Sequence, residues 1–145
     1  MRKPRMSTES PYTYTILRYV HDIGTAEFIN VGVVVSACDT PCIVARFRTD
    51  CRRVKCAFPS LNAEVFLTRM QRLQACFDAI DAARCSDVRA CGDTSIAKLV
   101  RCVLPLEDRA LTWSPSNSGI GGPIAATLQS LYERLVTRHD KEATR

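Results

Sequence analysis

Alternating apolar and polar positions mark two long strands near the start of the chain. Residues 12–20 are almost entirely aromatic, β-branched or Leu, and residues 28–37 contain the continuous apolar run VGVVV. Such residues fit the pleated surface of a sheet, and an unbroken apolar run is typical of a central strand covered on both faces. The pattern therefore predicts a hairpin over residues 12–37, with Gly24 in the connecting loop.

Two polar residues interrupt this predicted hairpin. Strict alternation places Ile29, Val31, Val33 and Val35 on one face of the second strand, and Phe28, Asn30, Gly32, Val34 and Ser36 on the other. Arg18 and Asn30 then lie on a largely apolar sheet, where an unpaired polar group costs about 1–3 kcal/mol. One interpretation is structural: Arg18 pairs with Asp22 or Glu27, and Asn30 and Gly32 mark a bulge. The other is functional: Arg18, Asn30 and the loop acids form a small polar site.

Apolar residues at strand or helix spacing continue along the rest of the chain. Alternation over residues 43–48 predicts a third strand, and residues 110–114, which contain the only Trp, predict a fourth. Apolar residues three and four positions apart predict a long helix over about residues 61–84, a shorter one at about 95–104, and a last one over about 124–139. The stripe of the long helix comprises Leu61, Val65, Phe66, Met70, Leu73, Phe77, Ile80 and Ala83. These elements favour an α+β fold, in which a long central helix and a C-terminal helix pack on a three- to four-stranded, mostly antiparallel sheet.

Length and charge limit the classes of function. At 145 residues the chain suits a single domain over residues 11–140, between a disordered basic tail at 1–10 and a short tail at 141–145. The N-terminus lacks the apolar core of a signal peptide, and no apolar run approaches the ~20 residues of a bilayer span, so we expect a cytoplasmic protein without membrane contact. Three of the 20 basic residues lie in the basic tail, which leaves 17 against 15 acidic residues. Nucleic-acid modules usually carry a stronger excess.

The densest charge comes at the end of the third strand. Five basic residues within ten positions could neutralise the phosphates of RNA or DNA, namely Arg46, Arg48, Arg52, Arg53 and Lys55. Aromatic side chains that would stack on bases are sparse here, with Phe47 inside the cluster and Phe58 just after it. A charged edge strand that resists aggregation explains the cluster as well, so nucleic-acid binding is an alternative hypothesis.

Eight cysteines are many for a chain of this size, but their spacing matches no CxxC zinc knuckle. Because a disulfide framework is not expected without a signal peptide, we interpret the cysteines as free thiols. Cys76, on the apolar stripe of the long helix, would act as a small hydrophobe. The alternatives are redox chemistry or a metal site formed by Cys38, Cys42, Cys51 and Cys56. We expect no metal and no cofactor.

Catalytic motifs are scarce. The glycine-rich segment before the last helix is a loop that could bind an anion through its backbone N–H groups. Its candidate residues are Ser118, Gly119, Gly121 and Gly122. The segment matches neither the P-loop nor the dinucleotide fingerprint, and a capping turn with Pro123 explains it as well. His21 and Asp22 are adjacent and would point to opposite faces of a strand. The residues favour a protein that is not an enzyme, with a small enzyme or anion-binding domain as a third hypothesis.

The order of several motifs resembles a known family. The motifs are YTILRYVHD (14–22), EFINVGVVV (27–35), RF (46–47), FPS (58–60), VLPLEDRALTWSP (103–115), SG (118–119) and LYERLVTRHD (131–140). Together they span nearly the whole chain after the tail and are similar to a bacterial family of small domains, domain-of-unknown-function family 3037. Members typically carry Pro-Asp where this chain has His21-Asp22, and Arg-Gly-Glu where it has Thr25-Ala26-Glu27. Only the Asp and the Glu carry over.

The resemblance implies a context rather than an established activity. Such proteins are often encoded beside kinase-like proteins that resemble the HipA toxins, which suggests a small accessory or regulatory subunit. We therefore expect a non-enzymatic protein-interaction domain that binds a protein partner, with a HipA-like kinase as the candidate, through a sheet edge or residues 21–27. The candidate site residues that match the family pattern are Arg18, Asp22, Glu27, Asn30, Trp113 and Ser114.

Overall fold

A five-stranded antiparallel sheet lies at the centre of the molecule. The computed structural model describes residues 10–22, 24–25, 27–38, 42–86 and 110–140. The strands are β1 (Ser10–Asp22), β2 (Glu27–Ala37), β3 (Ile43–Phe47), β4 (Leu111–Trp113) and β5 (Asn117–Gly121). The helices are α1 (Arg52–Ala57), α2 (Ala63–Ser86) and α3 (Ile124–Leu135). This architecture confirms the predicted α+β class and adds a fifth strand to the sheet.

Strand β1 occupies the middle of the sheet and pairs along both of its edges. One edge pairs with β2 over residues 12–22. The other edge is divided between two strands, because β5 pairs with residues 10–14 and β4 pairs with residues 17–19. β3 pairs with the far side of β2 and forms the outer edge of the sheet. The predicted hairpin, third strand and fourth strand are all confirmed.

A bulge in β2 interrupts its pairing with β1. Leu17 lies opposite Gly32 and Arg18 lies opposite Asn30, so Val31 has no partner in the register. The extra residue shifts the side chains on its two sides onto different faces. The interpretation of Asn30 and Gly32 as markers of a bulge is therefore confirmed.

The bulge changes which apolar side chains of β2 lie together. Ile29, Val31 and Val34 join the core that contains the buried residues of α2. Val33 and Val35 instead join the smaller core that contains the buried residues of α3. The strict alternation predicted for this strand is wrong, since it assumed an unbroken ladder. The two helices thus cover opposite faces of the sheet.

Helix α2 supplies most of the helical side chains in the larger core. The side-chain Oδ1 of Asn62 caps its first turn by accepting the Val65 N–H at 3.1 Å. The buried members of its stripe are Phe66, Met70, Leu73 and Phe77. Full burial of such a side chain contributes about 1.5–3 kcal/mol. Val65 and Cys76 were predicted on the stripe, but Val65 is 54% exposed and Cys76 is also exposed.

Helix α3 packs on the other face through Leu128 and Leu131. It ends at Leu135, so Arg138 and His139 follow the helix rather than completing it. Residues 52–57, for which no helix was predicted, form helix α1, which buries Val54.

Some predictions fall on parts of the chain that the structure does not describe. The predicted helix at about residues 95–104 and most of both tails lie outside the described residues. Among the described helices, none combines the length and the apolar character that a membrane crossing requires.

Candidate functional site

Arg18 and Asn30 face each other across β1 and β2, beside the bulge. The Asn30 side chain reaches the end of α3, where its Nδ2 donates to the Leu135 carbonyl at 2.9 Å. Phe28 is two residues before Asn30 in β2, so it lies on the same face of the sheet. Arg18, Phe28 and Asn30 are called the Arg18 cluster below.

The Arg18 guanidinium lies over an exposed aromatic ring. Its Cζ is 4.5 Å from the centroid of the Phe28 ring, and Phe28 is 45% exposed. Such a contact contributes about 0.5–1 kcal/mol at an exposed site. Arg18 Nε is buried and has no hydrogen-bond partner among the described residues, where no ion pair joins Arg18 to Glu27. Of the two predicted partners, Glu27 makes no ion pair with Arg18, and the Asp22 side chain lies outside the described part of the structure. The cluster keeps an unused donor at Arg18 Nε.

Asn30 supplies an unused acceptor next to this donor. Its Nδ2 is satisfied by the Leu135 carbonyl, whereas its Oδ1 is buried without a hydrogen-bond partner in the described part of the chain. An unsatisfied buried donor or acceptor costs about 1–3 kcal/mol. Two such atoms thus lie on opposing residues of β1 and β2, one a donor and the other an acceptor.

Arg48 fastens the Arg18 cluster to the segment after α3. Its side chain is 4% exposed, and its Nε donates to the Asn30 carbonyl at 3.0 Å. Its Nη1 donates to both carboxylate oxygens of Asp140, at 3.2 and 2.9 Å, and its Nη2 donates to the Val136 carbonyl at 2.6 Å. Every nitrogen of this guanidinium therefore has an internal acceptor, and Arg48 has a structural role.

The other members of the basic cluster do not join Arg48 on one face. Arg46 lies over the Tyr132 ring, with its Cζ 5.7 Å from the centroid. Lys55 Nζ donates to the Leu61 carbonyl at 2.6 Å, and Arg52 is 3.8 Å from Asp50. Because Arg48 is buried, it is not accessible to a phosphate. The geometry gives the nucleic-acid hypothesis no added support.

Trp113 and Ser114 lie apart from the Arg18 cluster. Trp113 packs on the α2 face with its ring 6.1 Å from that of Phe77, and its indole Nε1 is buried without a hydrogen-bond partner in the described residues. The Ser114 Oγ accepts the Ile16 N–H at 2.9 Å, and its carbonyl accepts the Thr15 hydroxyl at 2.7 Å. Ser114 therefore ties the chain after β4 to the middle of β1.

Asp22 and Glu27 close the hairpin as backbone partners. Glu27 is exposed, and its N–H donates to Thr25 Oγ1 over 3.4 Å. Gly24 and Thr25 are exposed between them. Of the six residues predicted as an interaction site, the structure thus pairs Arg18 with Asn30 beside the bulge and Asp22 with Glu27 at the end of the hairpin, as two separate pairs.

The glycine-rich segment is a strand rather than the predicted loop. Ser118, Gly119 and Gly121 belong to β5 and pair with residues 10–13 of β1. A Cβ on Gly119 would lie 2.6 Å from the Tyr12 hydroxyl oxygen, and one on Gly121 would lie 2.8 Å from Thr127 Oγ1. These two glycines are explained by close packing, and Gly122 follows in a bend.

One polar contact was missed because its partners are distant in sequence. His21 Nε2 lies 2.9 Å from Ser60 Oγ, and His21 Nδ1 lies 3.1 Å from the Tyr19 hydroxyl. The imidazole also stacks on Phe58, with ring centroids 4.6 Å apart. The FPS motif was the available signal, since it places an aromatic ring and a hydroxyl two residues apart. The contact joins the end of β1 to the turn before α2.

Burial changes the acidity of two tyrosines. Desolvation raises the pKa of Tyr132 above its ordinary value, an effect that the nearby Arg48 partly offsets. Desolvation also raises the pKa of Tyr19, against the opposing charge of Arg69. Both side chains therefore keep their protons at neutral pH.

Thiols and metal ligands do not assemble into a site in the described part of the chain. Cys38, Cys51, Cys56 and Cys76 are free thiols. No group of three or more His, Cys, Asp or Glu side chains is placed to hold a metal ion among the described residues.

Comparison with known proteins identifies the family. A family model described as Protein of unknown function (DUF3037) matches residues 14–136, a span that runs from within β1 to the residue after α3. No curated protein and no solved structure matches the chain. The resemblance seen in the sequence motifs is confirmed, and the chain belongs to the DUF3037 family of proteins of unknown function.

Proposed function

We propose that this chain is a non-enzymatic protein-interaction domain of the cytosol, and that its partner binds at the Arg18 cluster. The observation that carries the proposal is the pair of buried, unpartnered atoms Arg18 Nε and Asn30 Oδ1 on opposing residues. A site that is incomplete in the isolated chain is one that a partner can complete.

The chemistry of the cluster defines the group that would bind there. Arg18 Nε requires an acceptor, and a carboxylate gives the strongest hydrogen bond to a guanidinium. Asn30 Oδ1 requires a donor, which a neighbouring backbone N–H of the same partner would supply. The exposed Phe28 ring adds apolar surface. Arg and aromatic residues are enriched in interfaces and among the residues that dominate binding energy. The partner segment should therefore present an Asp or Glu beside an apolar side chain.

The candidate partner is the HipA-like kinase that the family resemblance implies. In that case the chain would act as an accessory or regulatory subunit of the kinase. The acidic segment that binds the Arg18 cluster would then lie on the kinase surface.

The test compares binding with folding in the same variants. The affinity of the purified kinase for the full chain is measured by calorimetry, for wild type, Arg18→Ala, Arg18→Lys and the control Arg72→Ala. Arg72 is an exposed arginine on α2, away from the cluster. Arg18→Ala should weaken binding at least about tenfold, because residues that dominate an interface cost more than 1 kcal/mol when truncated. Arg18→Lys should fall between Arg18→Ala and wild type, since it keeps the charge but loses the planar donor.

Thermal unfolding of the same variants separates the two interpretations of Arg18. Loss of an unsatisfied buried donor should leave the Tm of Arg18→Ala within a few degrees of wild type. A lower Tm together with an affinity equal to that of Arg72→Ala would make Arg18 a structural residue and refute the site. If the kinase does not bind the wild type, proteins that the chain captures from native cytosol are tested next. The affinity of each is measured for the same four proteins.

A further inference from the structure

In the described part of the chain, the outer edge of β3 is occupied by the side chain of Gln74 and not by another strand. Gln74 of α2 accepts the Phe47 N–H through Oε1 at 3.1 Å, and its Nε2 donates to the Ala45 carbonyl at 2.8 Å. Backbone groups alternate in direction along a strand. The Cys42 carbonyl accepts the Ala37 N–H. The backbone N–H and C=O groups of the even-numbered residues of β3 therefore point toward β2, and those of the odd-numbered residues point away from it.

A carboxamide presents one donor group and one acceptor, as a residue of an adjacent strand would. Gln74 therefore shows that the outward groups of Ala45 and Phe47 are positioned for strand pairing. Gln74 Nε2 also donates to Asp78 Oδ1, at 3.2 Å. If the Gln74 carboxamide left the strand edge, it would keep its hydrogen bond to Asp78. Displacement of Gln74 by a peptide would therefore not leave the carboxamide without a partner.

Open space lies on either side of Gln74. A cavity of about 510 Å³ runs along β3 between α2 and α3, and Leu128 and Tyr132 form its α3 wall. A second cavity of about 300 Å³ adjoins it and also contacts Phe47, Gln74 and Asp78. The larger cavity falls within the volume range of ligand sites in proteins.

We propose that the β3 edge binds an extended peptide segment of a partner protein as a sixth strand, with Gln74 yielding its two backbone groups to the peptide. Successive side chains of that strand would alternate between the α3 side, where Arg46 is exposed, and the α2 side, where Asp78 is exposed. The peptide should carry an acidic residue beside Arg46 and no acidic residue beside Asp78. Of the Arg18 cluster, Arg18 lies on β1, two strands away, and Phe28 and Asn30 lie on β2; none of the three lines either cavity, so this surface is distinct from the cluster.

The test begins with a phage-displayed library of short random peptides selected on the full chain. The best peptide is synthesised with N-methyl groups at single backbone positions, and its affinity is measured for wild type, Gln74→Ala and the control Arg72→Ala. Every second residue of the bound peptide would direct its N–H toward β3. N-methylation at these residues should weaken binding about tenfold, and N-methylation at the intervening residues should weaken it much less. Gln74→Ala should tighten binding by up to about tenfold, because the competing amide is gone. Arg72 is exposed on the same helix and lines neither cavity, so its replacement should leave the affinity unchanged within about twofold.

Three outcomes would overturn the proposal. One is that no peptide is selected on the wild type or on Gln74→Ala. Another is a selected peptide whose affinity is insensitive to N-methylation at every position. The last is that Gln74→Ala self-associates without binding any peptide, which would assign the edge to a second copy of the chain. Wild-type protein and modified peptides suffice for the second outcome, so the test does not depend on the folding of a variant.

Discussion

Gly32 and Phe47 are partners across β2 and β3, and the Phe47 ring fills the space where a side chain at position 32 would begin. A Cβ on Gly32 would lie 2.2 Å from Phe47 Cδ1 and 2.7 Å from Cε1. Phe47 is 1% exposed and contacts Phe77 of α2, so its ring has little room to move. Gly32 is therefore required for the contact between the sheet and α2.

We expect Gly32→Ala to lower the free energy of unfolding by about 1–3 kcal/mol, because overpacking a core forces side chains from their preferred rotamers. Urea denaturation at neutral pH measures the change. Phe47→Leu should remove part of the clash, so the double variant should lose less stability than the two single variants together. Full additivity would show that the two positions do not interact.

Removal of Arg48 should separate β2 from the segment after α3. Arg48→Met keeps the apolar bulk but leaves the Asn30 and Val136 carbonyls without their donor, and we expect a loss of about 2–4 kcal/mol. Asp140→Asn should cost less, about 1–2 kcal/mol, because Asp140 is 32% exposed and water partly replaces it. Denaturant unfolding of both variants is compared with Arg72→Met, an exposed control that should change stability by less than about 0.5 kcal/mol. Equal effects from Arg48→Met and Arg72→Met would contradict this role.

Ser114 should affect stability and leave partner binding unchanged. Ser114→Ala leaves the Ile16 N–H without its acceptor, which should cost about 1–3 kcal/mol of unfolding free energy. Ser116→Ala, an exposed serine two residues later, is the control and should have an effect below about 0.5 kcal/mol. A fall in partner affinity at unchanged stability would return Ser114 to the interaction site.

The raised pKa of Tyr132 should make the fold sensitive to alkali. Below the ordinary tyrosine pKa of about 10, the phenol is protonated in the folded and the unfolded chain, and this contribution to stability is fully present. Above that pH the unfolded chain loses the proton first, so the unfolding free energy should fall as the pH rises through the folded-state pKa. Urea denaturation at several values between about pH 9 and 11 measures the slope. Tyr132→Phe should make the slope shallower, and an unchanged slope would show that another group causes the loss.

Local periodicity was enough to predict most of the fold. The hairpin, β3, β4 and the buried stripe of α2 follow from side chains a few positions apart, where the repeat of two or of about 3.6 residues is fixed by backbone geometry. The face assignment in β2 failed because the bulge at Val31 depends on pairing with β1. Helix α1 was missed because six residues give too short a run for a helical period to appear.

The polar contacts were the least predictable part of the site. Arg48 and Asp140 are 92 positions apart, and His21 and Ser60 are 39 positions apart. Gly119 was interpreted as part of an anion-binding loop. The reason for a glycine at this position is the Tyr12 side chain of β1, which leaves no space for a Cβ and which a local sequence pattern does not reveal. Arg18 and Asn30 were predictable as polar residues on an apolar sheet. Their unpartnered atoms became evident only from the arrangement of α3 and Phe28 around them.

The divided edge of β1 has a consequence for how the chain is made. Thr15 and Ser114, which join β1 to the residue after β4, are 99 positions apart. Ribosomes add about 5–20 residues per second, so the hairpin of β1 and β2, which ends at Ala37, emerges roughly 4–15 s before β4 begins at Leu111. During that interval one edge of β1 is open to pairing with other nascent chains. The yield of native protein in a cell is therefore set by the lifetime of this open edge as well as by the stability of the finished sheet.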